Sequence, residues 1–148
     1  TCRCSPHQIQ RYRTKISGPL LDRIDIHIEV PSVPYKELSE NLPAESSCEI
    51  RKRIDTTKNI QLERFKQDKI TSNSSMSQKH IKKYCQLDSE SKDFLKMAIN
   101  ELGLSARAYD KVLKVSRTIA DLDASDNIKL EHISEAVQYR SLDRDFFL

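Results

Sequence analysis

A single run of alternating apolar and polar side chains constrains the fold of this chain most strongly. Residues 24–30 read Ile-Asp-Ile-His-Ile-Glu-Val, with isoleucine or valine at every even position. Such strict period-two alternation is typical of a half-buried β-strand. No other stretch shows it convincingly, and one strand is not stable alone. We therefore expect its partner strands to lie outside these 148 residues or on another chain.

The composition favours helices for the rest of the chain. Only 2 glycines and no tryptophan occur, 37% of the residues are apolar and 32% are charged. These proportions suit helices with narrow apolar stripes better than a sheet-rich domain with many tight turns. Neither of the glycine-rich phosphate-loop motifs, G-x-x-x-x-G-K-[ST] and G-x-G-x-x-G, occurs in the sequence. We therefore expect that the chain on its own cannot cradle a triphosphate.

Apolar periodicity and capping signals predict one long helix in the middle of the chain. Ser46 followed three residues later by Glu49 reads as a capping box that opens a helix over 46–70. Its predicted inward stripe has a gap near Thr57 and Gln61 and consists of Ile50, Ile54, Leu62 and Phe65. A short helix is also expected over residues 6–15, ended by Ser17-Gly18-Pro19.

Three further amphipathic helices are predicted over residues 88–102, 106–122 and 130–140. Their caps are expected at Asp88 or Ser89 and at Ser105, and Gly103 is a stop signal. Because short loops join the three helices, residues 86–140 are expected to pack as a small bundle. The inward side chains of the second of these helices are predicted to be Tyr109, Val112, Leu113, Ile119 and Ala120.

Charge, hydropathy and cysteine content limit the partners and metals that we expect for this chain. The net charge of +3 permits a nucleic-acid partner without arguing for one. No apolar run approaches the roughly 20 residues of a membrane span, so we expect no membrane partner. Cys48 and Cys85 are expected to be reduced thiols of a cytoplasmic protein. The lone Cys2-x-Cys4 pair is a weak metal signal, since structural zinc needs four ligands.

Two arginines could act on phosphate groups. Arg23 lies between a turn and the predicted strand, and Arg107 lies in the first turn of a predicted helix, where anions are favoured. A guanidinium is planar, permanently charged and forked, which suits the charge of a transferring phosphoryl group. The residues alone favour ordinary surface pairing instead, of Arg23 with Asp22 or Asp25 and of Arg107 with Asp110.

Two long motifs resemble one family in the expected order. The first is the run Ile-Ser-Gly-Pro-Leu-Leu-Asp-Arg-Ile-Asp-Ile-His-Ile-Glu-Val-Pro at residues 16–31, and the second is residues 103–122, from Gly-Leu-Ser-Ala-Arg-Ala-Tyr-Asp to Ala-Asp-Leu. They resemble the end of the ATPase core and the lid helix of magnesium-chelatase-like AAA+ proteins of the competence protein M type. The residues His132, Glu135, Ala136, Gln138, Tyr139 and Arg140 extend the likeness.

The resemblance implies a mainly α chain in three parts. Residues 1–33 would be the helix, turn and strand that end an α/β AAA+ nucleotide-binding core, 34–85 a linker and long connecting helix, and 86–148 a helical lid bundle. The whole protein would hydrolyse ATP with Mg²⁺ as a hexameric ring, whose partners are its own N-terminal core and neighbouring subunits. The present chain, as its C-terminal region, would bind no cofactor and be inactive alone.

The resemblance also assigns site residues. Arg23 matches the arginine finger, which acts in trans on a neighbouring subunit, with Asp22 in support. Arg107 matches the sensor-2 arginine, in cis or in trans. Cys2 and Cys4 would be half of a four-thiolate zinc site whose other half precedes this chain, so we expect no metal here.

Two alternatives do not involve ATP. A non-enzymatic helical module could bind DNA through a basic face over residues 51–69. A plain oligomerisation module could use the apolar tail Phe146-Phe147-Leu148.

Overall fold

The computed structural model describes residues 3–33 and 44–140, and these residues form a mainly helical structure, as predicted. Within those ranges there is no β-strand. No helix in them is long and apolar enough to cross a membrane. Cys2, residues 34–43 of the predicted linker and the tail 141–148 lie outside the described ranges. The helices are α1 Pro6–Arg13, α2 Gly18–Leu21, α3 Ser47–Arg64, α4 Gln78–Tyr84, α5 Ser89–Leu102, α6 Ala106–Leu122 and α7 Leu130–Gln138.

The segment predicted as a strand, residues 24–30, does not form one among the described residues. A strand is defined by ladder hydrogen bonds to a neighbouring strand, and the described ranges contain no second strand. Its apolar side chains consequently remain in contact with solvent, and exposure rises along the segment from 39% at Ile24 to 82% at Val30. The prediction that the partner strands lie elsewhere stays a prediction.

The Ser17-Gly18-Pro19 turn signal ends α1 and also begins α2, a single helical turn. Proline fits this place because the first helical residues need no amide donor. Leu21, at the end of α2, is buried. The backbone then turns at Arg23, whose amide donates to the carbonyl of Leu20 at 3.0 Å.

Helix α3 begins as predicted but buries a different face. Ser46 and Glu49 form the expected capping box. Ile54 and Leu62, predicted to face inward, are 43% and 50% exposed, and Ile50 is also exposed. The buried residues are Thr57 and Gln61, which lie in the predicted gap, and Phe65 follows them at the next turn. The prediction was right for Phe65 and wrong for Ile50, Ile54 and Leu62, because α3 packs against α6 through a largely polar contact.

The junction between α5 and α6 follows the capping signals. The Asp88 carboxylate accepts a hydrogen bond from the amide of Ser91 at 2.8 Å and caps α5. Gly103 ends α5 with φ of 61°, in the left-handed region that glycine adopts without strain. The Ser105 hydroxyl accepts from the amide of Ala108 at 3.1 Å and caps α6. The junction between α5 and α6 is therefore fixed by two local signals, Gly103 and Ser105.

Helix α6 lies at the centre of the structure and packs against α3, α4 and α7. Its Val112, Leu113 and Ala120 are buried as predicted, and Ile119 is partly buried against the core. Tyr109, predicted inward, is 38% exposed, whereas Ala108, which was not predicted, is fully buried. The core is one cluster with residues from both sides of the predicted boundary between residues 85 and 86. The division of the chain into three parts therefore stays a prediction. The core contains Phe65, Met76, Ile81, Cys85, Leu95, Leu104, Ala108, Val112, Leu113, Ala120, Ile128, Ile133 and Ala136.

Candidate functional site

The segment around Arg23 is bound to the start of α6 through its preceding residue. The Ser105 hydroxyl donates to the Asp22 carboxylate, with Oγ–Oδ distances of 3.0 and 3.1 Å. The same hydroxyl caps α6. Asp22 therefore reaches the N-terminal end of α6, where a negative charge is stabilised by the helix dipole.

The backbone of the same segment is held at three further points. The Lys111 ammonium donates to the carbonyl of Arg23 at 2.5 Å. The buried Arg140 guanidinium donates to the carbonyl of Ile24. The amide of His27 donates to the carbonyl of Tyr139 at 2.9 Å. Residues 22–27 thus lack a strand ladder, but hydrogen bonds hold them against α6 and against the residues that follow α7.

The guanidinium of Arg23 itself is left exposed. It forms no ion pair or hydrogen bond with any residue in the two described ranges. The surface pairing that the residues alone favoured does not form, because Asp22 is bound by Ser105 and Asp25 pairs with Lys111 at 2.5 Å. A fixed backbone with an unpaired guanidinium is suited to contacting an anion that another molecule or another part of the protein supplies.

The side chain of Arg107, like that of Arg23, is exposed and unpaired within the described ranges. The alternative partner, Asp110, instead accepts a hydrogen bond from Gln78. Arg107 lines a cleft of about 470 Å³ between the start of α6 and α2, together with Gly18, Pro19, Leu21, Asp22, Leu102, Gly103, Leu104 and Ser105. The structure therefore brings the two motifs, 16–31 and 103–122, to one cleft.

Two family models match this chain in consecutive stretches. Residues 1–38 match the magnesium chelatase subunit ChlI model, and residues 44–140 match the magnesium chelatase subunit ChlI C-terminal model. The chain belongs to the magnesium chelatase ChlI family. The resemblance read from the two motifs is therefore confirmed at the level of the family.

Curated relatives cover nearly the whole chain. The uncharacterized protein YifB of Escherichia coli is 42% identical over 96% of the chain, and the competence protein ComM of Haemophilus influenzae is 43% identical over 96%. The uncharacterized protein Rv2897c of Mycobacterium tuberculosis is 25% identical over 94%. The chain spans 28%, 27% and 27% of the length of these three relatives.

A buried ionic cluster in this ChlI-family chain was not predicted from the sequence. Asp121, whose side chain is fully buried, accepts hydrogen bonds from both terminal nitrogens of Arg64, one of them at 2.6 Å. It also accepts from Arg117 Nε at 3.0 Å and from Asn73 Nδ2 at 2.8 Å. Two arginines thus share one carboxylate. Asn73, in the segment between α3 and α4, therefore contributes a buried side chain to the cluster.

The remaining donors of Arg117 are also occupied. Its terminal nitrogens donate to the carbonyls of Asp126 at 2.8 Å and Ser125 at 2.6 Å. Burial lowers the pKa of Arg117, and the charge of Asp121 opposes that shift. The only available sequence signal was the i, i+4 spacing of Arg117 and Asp121, which usually marks an exposed pair. The cluster joins α3, α6 and the following loop, so we assign it a structural role.

The expectations for the cysteines have mixed outcomes. Cys4 is exposed and Cys2 lies outside the described ranges, so the half zinc site stays a prediction. Cys48 and Cys85 are free thiols, as expected.

His132 caps α7, since its Nδ1 accepts from the amide of Lys129 at 3.0 Å. Its Nε2 lies 3.4 Å from the Asp123 carboxylate, which gives the ring a structural role.

The basic face proposed for residues 51–69 presents less positive charge than the sequence indicated. Arg64 is part of the buried cluster, with 15% of its side chain exposed. Arg53 pairs with Glu45 at 2.7 Å, and Lys66 lies 3.3 Å from Glu63. Such neutralisation weakens the attraction for a polyanion.

Proposed function

We propose that this chain is the C-terminal part of an ATP-hydrolysing AAA+ ring protein to which it contributes two phosphate-contacting arginines. Arg23 acts as the arginine finger on a neighbouring subunit's ATP. Arg107 acts as the sensor-2 arginine, which contacts the γ-phosphate and links it to the helical lid. The observation that carries the proposal is the state of Arg23, whose backbone is fixed while its guanidinium is exposed and unpaired among the described residues.

The chemistry assigned to these residues is electrostatic. During phosphoryl transfer, negative charge spreads over the oxygens of the transferred group, and a positioned guanidinium stabilises that charge. An arginine already paired with a carboxylate would first have to break that pair. Neither Arg23 nor Arg107 has such a partner in the two described ranges, so each can bind a phosphate without that cost.

ATP and Mg²⁺ are bound by the part of the protein that precedes this chain. The 148 residues contain no phosphate loop. The carboxylates nearest Arg23 do not fit as magnesium ligands, because Asp22 is bound by Ser105 and Asp25 by Lys111. The contribution proposed for this chain is therefore charge stabilisation and lid movement.

The test uses the full-length protein with Arg23→Ala and, as a matched control, Arg51→Ala on the exposed surface of α3. Arg23→Ala should slow ATP hydrolysis by roughly 10³-fold or more while ATP binding is retained. Arg51→Ala should stay within about twofold of the unsubstituted protein. Near-normal turnover of the Arg23→Ala ring would overturn the assignment.

A mixing experiment tests whether the finger acts in trans. Inactive Arg23→Ala subunits are combined with subunits whose preceding core cannot bind ATP. If Arg23 acts on a neighbour, some interfaces in mixed rings place an intact finger against an intact ATP site, and activity returns. If Arg23 acts within its own subunit, every mixed ring stays inactive.

A further inference from the structure

We propose that Lys111 is a positioning residue that couples the arginine finger to the lid helix. The inference rests on the proposed function of Arg23 and Arg107, and it concerns how their positions depend on each other. Lys111 lies one helical turn after Arg107 on α6. Its ammonium contacts the carbonyl of Arg23 and the carboxylate of Asp25, each at 2.5 Å.

The contact of Lys111 is favourable because the site is partly shielded from water. Only 16% of the Lys111 side chain is exposed, whereas 63% of the Asp25 side chain is. An ammonium bound to a carbonyl and a carboxylate in partial burial makes stronger hydrogen bonds than one on the open surface. Residues 24–30 have no strand ladder among the described residues, so this contact carries more of the positioning of Arg23 than it would in a sheet.

The consequence is a mechanical link between two phosphate-contacting groups. Arg107 projects directly from α6, and Arg23 is tied to α6 through Lys111 and through the bond between Asp22 and Ser105. A rotation of α6 that follows a phosphate at Arg107 therefore also moves Arg23. If Arg107 contacts the ATP of its own subunit, the state of that site sets the finger position at the neighbouring site; if Arg107 also acts in trans, both arginines respond together at one interface.

Lys111→Met removes the ammonium while keeping a long apolar stem. In the full-length ring we expect kcat for ATP hydrolysis to fall by roughly 10- to 100-fold, because a finger displaced by about 1 Å loses charge stabilisation. KM for ATP should change less than about threefold, since binding depends on the preceding core. Lys111→Arg should restore part of the rate, because it keeps a cationic donor at this position.

Lys114→Met is the matched control. Lys114 lies on the same face of α6, and its ammonium donates to a backbone carbonyl, that of Ser74, at 2.9 Å, but it forms no hydrogen bond or ion pair with residues 22–27. Its loss should leave kcat within about twofold. Equal effects of Lys111→Met and Lys114→Met on kcat would overturn the coupling role.

A double-mutant cycle separates positioning from general stability. If Lys111 acts through Arg23, Lys111→Met should slow hydrolysis no further in an Arg23→Ala ring. A further loss of similar size in that background contradicts the inference while leaving the finger assignment intact. If instead Arg23→Ala has no effect alone, the proposed function itself fails. Should Lys111→Met not assemble, Asp25→Asn in the same cycle decides, because it removes the charge that pairs with the Lys111 ammonium and changes only an exposed side chain.

Discussion

Arg64 on α3 and Asp121 on α6 form a two-point ion pair across the helix contact, 57 residues apart in the chain, with one nitrogen–oxygen distance of 2.6 Å. Asp121 also serves Arg117, so two guanidinium groups depend on one buried carboxylate. Removing this carboxylate should cost more folding stability than removing one partner of a surface ion pair, because it leaves two buried or half-buried cations without a counter-ion.

Asp121→Asn should strongly destabilise the folded chain. The amide cannot neutralise Arg64 and Arg117, and we expect a loss of about 3–5 kcal/mol in the free energy of unfolding. Urea unfolding followed by circular dichroism measures it. Asp126→Asn is the control, since its carboxylate is exposed, and it should cost less than about 0.5 kcal/mol. A loss below about 1 kcal/mol for Asp121→Asn would contradict the structural role of the cluster.

Cys85 should resist thiol reagents and make stability fall at high pH. Burial raises the pKa of its thiol to about 11. Between the pKa of an unfolded thiol, about 8.5, and that value, the unfolded chain loses this proton while the folded chain keeps it. Stability should therefore fall by up to about 1.4 kcal/mol per pH unit in that window.

The measurement compares urea unfolding of the unsubstituted chain and Cys85→Ala at pH 8, 9 and 10. The variant lacks this titration, so its stability should decline less steeply over the same pH range. At pH 8, a thiol reagent should modify the exposed Cys4 and Cys48 rapidly and spare Cys85. An equal pH slope in both proteins, together with rapid modification of Cys85, would show that the site is open to solvent.

Tyr84→Phe should weaken the chain most near neutral pH. The Tyr84 hydroxyl donates to Asp68 at 2.5 Å, and this bond, aided by Lys83 and His80, lowers the pKa of the Asp68 carboxyl. A lowered pKa contributes stability above the unfolded carboxyl pKa, about 3.9, and that contribution is lost as pH falls through the folded value. The difference in unfolding free energy between the two proteins should thus shrink from pH 7 toward pH 3.

Tyr12→Phe is the control for this pH series. Tyr12 is 72% exposed, and its substitution should leave stability unchanged at every pH. If the Tyr84→Phe difference is constant with pH, the hydroxyl acts by packing rather than through the Asp68 charge.

Gly103→Ala should cost about 1–2 kcal/mol, because a side chain in the left-handed region at φ of 61° strains the backbone. No atom lies within 4 Å of the added Cβ, so the cost comes from backbone conformation and not from a clash. Gly103→Asn should cost less, since asparagine tolerates this conformation better. Thermal unfolding of the three proteins tests the order, and equal loss for alanine and asparagine would contradict it.

Local signals in the sequence predicted the parts of the fold that depend on neighbouring residues. The Ser46–Glu49 capping box, the Asp88 and Ser105 caps and the Gly103 stop all appear where the residue pattern placed them. Caps and stops are decided within one helical turn, so sequence alone suffices for them. The two family motifs were recognisable for a similar reason, because each is a continuous run of residues.

The buried face of α3 and the partners of Asp22, Asp25 and Asp121 could not be read from the sequence. Each depends on a side chain or helix that is distant along the chain: Ser105 is 83 residues from Asp22, and Arg64 is 57 residues from Asp121. Hydrophobic periodicity also gave the wrong face at Ile54 and Leu62, because the polar side chains of Thr57 and Gln61 are hydrogen-bonded and can therefore be buried.

The sequence by itself therefore determined the family, the helical character and the helix ends, which follow from local propensity and contiguous motifs. Only the tertiary structure decided that Arg23 keeps an exposed guanidinium on a fixed backbone, since its nearby carboxylates are occupied by Ser105 and Lys111 from another part of the chain. Pairing between charges depends on distance in space, and sequence spacing does not specify that distance once the chain has folded.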